Sequence, residues 1–202
     1  MIEIRNIKKK FDDKIVFQNF CMTIGDGAFV VFVGNSGCGK TTLLNMIGGL
    51  EKPDEGSILV DGQDIYQLKK KYNYFTYKVG FLFQNFALVE NKTVRKNLEF
   101  VQKNARTDSS IEEVLENVGI LDKIDTVVYK LSGGEQQRVA IARLMFKQCE
   151  IILADEPTGS LDIRNAQAVM KFLHQLNDHG KTIILVTHNE KIIESEKMVI
   201  SL

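Results

Sequence analysis

Residues Gly34-Asn35-Ser36-Gly37-Cys38-Gly39-Lys40-Thr41 follow the spacing glycine, four residues, Gly-Lys, then Ser or Thr. That spacing is suited to gripping phosphate groups. The glycines let backbone N–H groups turn inward around phosphate oxygens, and Lys40 adds a point charge for the β and γ phosphates. A helix beginning at the end of the loop presents its positive dipole end to the same anion. The Thr41 hydroxyl is suited to ligating Mg²⁺. A second place for chemistry is Asp155-Glu156, two carboxylates delivered by the apolar run 151–154. Asp155 is suited to holding Mg²⁺, directly or through water, and Glu156 to polarising a water that attacks the γ phosphate. Two acids after a strand also serve as caps of a following helix, so the pair alone does not choose between these roles. Gln84 and His188 each follow a short apolar run in the same way. Gln84 can bridge metal and attacking water, and His188 can donate to a γ phosphate; a lone strand-end Gln or His is more often satisfied structural polarity, and the edge they share favours the functional roles. Cys38, inside the loop, is either a small residue that fits or a thiol that a bound nucleotide would shield from reagents.

Hydrophobic periodicity shows which elements must position these groups. The run Phe29–Val33 ends at Gly34, and residues 41–47 read as a helix closed by Gly48-Gly49. Similar runs at Val79–Phe83, 151–154 and Thr182–Val186 are apolar nearly throughout, as suits strands buried on both faces of a mostly parallel sheet. With Gly34, Gln84, Asp155 and His188 each placed after a strand, four strands aim polar groups at one sheet edge, where ligands gather in α/β folds. Residues 2–7 and 17–24 are expected as edge strands and 57–60, before Asp61-Gly62, as half of a hairpin; together they make an antiparallel flank. Between 85 and 130 the spacing turns helical. Ile111, Val114, Leu115 and Val118 share a face behind Ser109, which has Glu112 three residues on as a capping pair. Ala166, Val169 or Met170, Leu173 and Leu176 form another apolar stripe, ending near Gly180, that is expected to pack on the sheet.

Composition narrows the function classes. The 202 residues include 26 Lys and Arg against 26 Asp and Glu, so no net charge attracts nucleic acid. A hydrophobic share of 44% with 2 prolines suits one large folded domain, or a domain carrying a subdomain. The longest apolar runs are strand-sized, short of the roughly 18–20 residues that span a bilayer, so direct membrane insertion is not expected. The opening Met-Ile-Glu-Ile-Arg lacks a secretory pattern, and a cytoplasmic place is expected. Cys21, Cys38 and Cys149 have no Cys-x-x-Cys spacing and are expected as reduced thiols. The basic runs Lys8-Lys9-Lys10 and Lys69-Lys70-Lys71 are expected as solvated faces.

Residues 131–143, Leu-Ser-Gly-Gly-Glu-Gln-Gln-Arg-Val-Ala-Ile-Ala-Arg, resemble the signature motif of ATP-binding cassette (ABC) ATPases. Ser132, Gly133 and Gly134 open a helix there and offer a second anion cap by the dipole physics of the first loop. The resemblance covers nearly the whole chain: phosphate loop, Gln84, signature, Asp155-Glu156-Pro157-Thr158, Ser160-Leu161-Asp162 and His188 stand in the family's order. It implies an α/β P-loop NTPase with a mostly parallel core sheet, an antiparallel β flank and an inserted helical subdomain. It also implies a single nucleotide-binding domain over 1–202, with an ATPase core of 1–84 and 146–202 and a helical subdomain of 85–145. The implied ligands are ATP and Mg²⁺. Phe11, Gly34, Asn35, Ser36, Gly37, Cys38, Gly39, Lys40, Thr41 and Thr42 would hold the nucleotide, together with Ser132, Gly133, Gly134 and Asp162. Thr41, Gln84 and Asp155 would hold the metal, and Glu156, His188 and Gln84 would act in hydrolysis.

The resemblance further implies a second copy of the chain, paired head to tail, with Ser132 serving the partner's nucleotide. ATP would draw the pair together and hydrolysis release it. Segment 80–88 and the chain's size resemble cassettes of the macrolide-export, lipoprotein-release and cell-division group, and residues 86–94 resemble lactococcin-type bacteriocin exporters. This implies an ATPase on the inner face of the cell membrane, attached to a separate permease near the helical subdomain and the segment after Gln84. The alternative is an ATPase that transmits force to a membrane or cell-wall complex without transport. Some positions depart from the family. Phe11 stands where a Tyr is usual and keeps the π face for stacking on adenine. Asn189 replaces an acid, no proline precedes Leu131, and the chain stops soon after 198–200, so no appended regulatory domain is expected.

Overall fold

The computed structural model describes residues 1–159 and 161–202; Ser160, named above in the Ser160-Leu161-Asp162 motif, lies outside the described residues. Two long strands, β1 (Ile2–Phe11) and β2 (Lys14–Ile24), are followed by β3 (Phe29–Val33), helix α1 (Lys40–Ile47), β4 (Glu55–Val60) and β5 (Gln63–Asp64). A short helix α2 (Lys71–Asn73) runs into a π-helical turn at Tyr74–Lys78 and then β6 (Val79–Phe83). Helices α3 (Val94–Glu99), α4 (Ile111–Asn117) and α5 (Gly133–Phe146) precede β7 (Ile151–Asp155). The remaining elements are α6 (Ile163–Asp178), β8 (Thr182–Val186), α7 (Glu190–Ser195) and β9 (Val199–Ser201).

The apolar runs form a five-stranded sheet in the order β6-β7-β8-β3-β9, and its neighbours pair in parallel. Alternate residues of one strand enter two different cores. Ile152 and Ala154 join a cluster with α3, α4, α5 and α6, while Ile151 and Leu153 join one with α1 and the antiparallel strands. Both faces are covered, which is why these strands read as unbroken apolar runs. The pairing keeps the strand ends level: Phe83 lies beside Asp155, Asp155 beside Val186, and Val186 beside Phe32. Gln84, Glu156, His188 and Gly34 therefore leave the sheet along one edge.

The antiparallel sheet has the order β2-β1-β4-β5. Its β4–β5 hairpin matches the expectation at Asp61-Gly62, but β1 is not an edge strand. It lies between β2 and β4, with Ile2 opposite both Ile24 and Val60. Ile2, Ile4 and Ile7 are buried there, since the interior strand turns one face to the core. Two further expectations shift. The cap of α4 is Ser110, whose side chain accepts from the Glu113 N–H while Glu113 reaches back to Ser110, one residue beyond the Ser109 and Glu112 pair. Ser110 has the extended backbone of a cap, and both serines have a glutamate three residues on, so the spacing could not separate them. In the first basic run Lys9 is buried rather than solvated, because pairing with β4 brings Glu51 and Asp54 to its ammonium. The stripe on α6 forms as expected, with Val169, Leu173 and Leu176 buried.

Candidate functional site

The phosphate-binding spacing folds as strand, loop and helix between β3 and α1. Gly39 has φ +108, and a Cβ there would run into Val16 and stand 2.8 Å from the Phe17 ring. Glycine at this position lets the start of α1 lie against β2. Lys14, opposite Phe11 at the β1–β2 turn, donates from Nζ to the Gly37 carbonyl at 2.9 Å. Lys40 is buried, and its ammonium donates to the Gly34 and Asn35 carbonyls at 2.9 and 3.0 Å. The loop thus holds within its own turn the cation that an anion would meet.

The Thr41 hydroxyl donates to Asp155 Oδ1 at 3.1 Å, which joins the helix start to the end of β7. Burial pushes the Asp155 carboxyl above its ordinary value, against the Thr41 hydrogen bond and the Lys40 charge. Glu156 follows in the left-handed region at φ +46, and its N–H donates to the Val186 carbonyl at 2.9 Å. Burial also raises the Glu156 pKa, opposed by His188. His188 Nε2 stands 3.2 Å from Glu156 Oε1, but without hydrogen-bond alignment. That buried oxygen has no hydrogen-bond partner among the described residues. Gln84 is exposed at the end of β6, with Nε2 beside Gly159. Just beyond it, Phe86 and Ala87 adopt φ +62 and +47, and Arg143 of α5 donates to both carbonyls, at 3.1 and 2.7 Å.

An open groove of about 610 Å³ brings together Phe11, Ser36, Gly37, Gly39, Lys40, Thr41, Thr42, Gln84, Glu156 and His188. Gly34, Asn35 and Cys38 belong to the same loop, and Asp155 reaches the groove through Thr41. The lining also includes Lys14 and Gly159, which the sequence reading missed. Their signals were slight: Lys14 follows Phe11 across a two-residue turn, and Gly159 lies three residues after Glu156. Ser132, Gly133, Gly134 and Asp162 stand outside this lining. Ser132 caps α5, accepting from the Glu135 N–H at 3.3 Å, while Glu135 accepts from the Ser132 hydroxyl at 2.7 Å and N–H at 2.8 Å. Those bonds hold the Glu135 carboxyl below its ordinary pKa. Asp162 caps α6 by accepting from the Asn165 N–H at 2.9 Å. Asn165 links the two helix starts, because it accepts from Arg138 of α5 at 3.1 Å and its side chain lies against Gly134. Asn189, in place of the acid, caps α7 by accepting from the Lys191 N–H at 3.1 Å.

One sheet edge therefore carries the glycine loop with its buried lysine, two half-buried acids, a histidine and a glutamine. The ABC transporter family profile matches residues 17–159. The chain belongs to that family. This ATP-binding cassette is 38% identical to the uncharacterized ABC transporter ATP-binding protein MJ1508 of Methanocaldococcus jannaschii, aligning over 100% of this chain and 95% of that protein. It is 37% identical to the macrolide export ATP-binding/permease protein MacB of Campylobacter jejuni over 100% of its own length, but spans 33% of that relative's length. The fold matches the dimeric post-hydrolysis structure of the ATP-binding cassette MJ0796 bound to ADP and Pi, with a TM-score of 0.86 and 34% identity. That match covers 100% of this chain and 94% of the other. The ABC resemblance and the P-loop fold, with parallel core sheet and antiparallel flank, are both borne out. Among the described residues, no helix is long and apolar enough to cross a membrane.

Proposed function

We propose that this cassette is the ATP-hydrolysing subunit of a membrane transporter and drives a separate permease as part of a head-to-tail pair. The observation that carries the reading is the Glu156 oxygen, buried and without a hydrogen bond among the described residues though His188 Nε2 is 3.2 Å away, on the edge shared by the phosphate loop, Asp155 and Gln84. Lys40 exchanges its two loop carbonyls for β- and γ-phosphate oxygens, and Phe11 offers its ring to the adenine. The Thr41 hydroxyl and Asp155 carboxylate, 3.1 Å apart, form the all-oxygen set that a hard divalent cation takes, with Gln84 nearby. Bound there, Mg²⁺ would neutralise charge on the β and γ phosphates. A water attacking the γ phosphorus gives its proton to Glu156 as the bond to the ADP oxygen breaks, while His188 donates to a γ oxygen.

Ser132, Gly133 and Gly134 at the start of α5, with Asp162 beside them through Asn165, are assigned to the nucleotide of the second copy. The dimeric MJ0796 structures support this pairing. We assign 1–84 and 146–202 to the ATPase core and 85–145 to a helical subdomain. A groove of about 460 Å³, bordered by Tyr72, Phe75, Phe81, Phe100 and Ala87, opens beside the segment after Gln84 and suits an apolar permease segment. Anchoring there would hold the cassette on the inner face of the membrane. Similarity to the macrolide export protein MacB supports export; the proposed cargo is a peptide, drug or lipoprotein, with selectivity residing in the permease. The test is ATP turnover and binding: Glu156→Gln should keep ATP binding and lose at least about 100-fold in turnover. Turnover at the parental rate would refute the assignment.

A further inference from the structure

Lys9 is 6% exposed, unlike the lysines on either side of it. Its ammonium donates to the Glu51 carboxylate and to the Lys52 carbonyl, the latter at 3.0 Å, with Asp54 Oδ1 3.6 Å away. The same nitrogen stands 4.8 Å from the centre of the Phe11 ring. That ring is 45% exposed and borders the groove of the phosphate loop. A cation over one face draws on the ring's negative quadrupole, which leaves the other face better matched to an electron-rich base.

Lys9 is itself tied to the far end of the phosphate-binding helix. The Glu51 N–H donates to the Asn45 carbonyl of α1 at 3.2 Å. The Tyr66 hydroxyl bonds to the Glu51 carbonyl and to the Met46 carbonyl, the latter at 2.6 Å. The chain of contacts from α1 through Glu51 and Lys9 to Phe11 therefore joins the helix that begins at the phosphates to the ring beside them.

We infer that Lys9 is a positioning residue for the nucleotide base, holding the Phe11 ring in its stacking pose through a cation–π contact anchored on Glu51. The inference rests on the proposed stacking role of Phe11 and adds to it the residue that sets the ring.

Equilibrium binding of ATP and of inorganic tripolyphosphate to the full chain, with Mg²⁺ present, separates the base from the phosphates. Lys9→Met should raise the Kd for ATP about three- to tenfold. The Kd for tripolyphosphate should stay within about twofold, and Lys9→Arg should restore ATP binding. In a Phe11→Ala background, Lys9→Met should change neither ligand. Equal weakening of both ligands by Lys9→Met, or unchanged ATP affinity, overturns the inference. If Phe11→Ala leaves the ratio of the two affinities unchanged, the stacking role falls and the inference falls with it. A changed ratio for Phe11→Ala with none for Lys9→Met overturns the inference alone. Should Lys9→Met fail to fold, Lys9→Gln, which keeps an amide donor for the Lys52 carbonyl, faces the same outcomes.

Discussion

Glu156 occupies a left-handed backbone position at φ +46, where a side chain costs about 1–2 kcal/mol, and burial raises its pKa and that of Asp155. An acid whose pKa rises on folding holds its proton more tightly in the folded state. The stability it gives below its unfolded value is lost as pH climbs through the folded one. Nucleotide-free Glu156→Gln should therefore melt above the parent at pH 7, with the two melts converging toward about pH 4; a lower Tm at pH 7 would contradict this. The acid limb of kcat/KM should also lie above the ordinary glutamate value of about 4.3, since Glu156 in its proposed role must be ionised to take the water's proton. A rate profile flat down to that value would count against Glu156 as the base. The shared sheet edge of residues 34–41, Asp155 and Glu156 was legible because each follows an apolar run and the pairing keeps those strand ends level. Lys14 was not, since it works by bonding a carbonyl 23 positions away. Lys9 was missed for a related reason: its burial depends on acids that only strand pairing brings near.

Among the elements, α4 and α5 both begin with a reciprocal serine–glutamate cap, yet the proposed function assigns a part in the reaction to the second alone. Ser110→Ala should lower stability by about 1 kcal/mol in urea unfolding while ATP turnover stays unchanged. Arg143 plays a different part, bonding the paired left-handed residues Phe86 and Ala87 from α5. Arg143→Met should leave two carbonyls without their donor, at about 1–3 kcal/mol for each one kept from water. Limited proteolysis should then cut faster within 85–90, and an unchanged cleavage rate would show that the turn holds itself. The core strands were readable because burial on both faces leaves apolar runs of about five residues, too short for a buried helix and rich in Val, Ile and Phe. Of the short helices between 85 and 130, α4 was readable from its apolar face to within one residue of its cap, and α3 only as part of a helical region. They lie in the chain between 3-10 turns and an isolated bridge pairs Thr93 with Val127, so tertiary contact more than local pattern sets their limits.

On the scale of the whole molecule, the two anion caps, Gly34–Thr41 in the groove and Ser132–Gly134 outside it, suggest a site completed by a second copy. Glu156→Gln with Mg-ATP should scatter light as a dimer. Ser132→Arg should bind ATP yet stay monomeric, whereas Lys40→Ala should lose ATP binding itself. A Ser132→Arg variant that dimerises and turns over normally would rule out the shared site. The order of the antiparallel sheet was the least legible part, because β4 joins β1 from more than forty residues away and turns an expected edge into an interior strand. The parallel sheet has a further consequence. Each of its faces is sealed by a separate apolar cluster, and all five residues of β8 are buried. Close-packed layers of this kind do not repack in small steps. During turnover, deuterium should therefore enter the amides of β7 and β8 last and at the same pace with or without ATP. The changes should gather around the rim, at 84–90 and 132–135, so the wall stays still while its margins report the fuel.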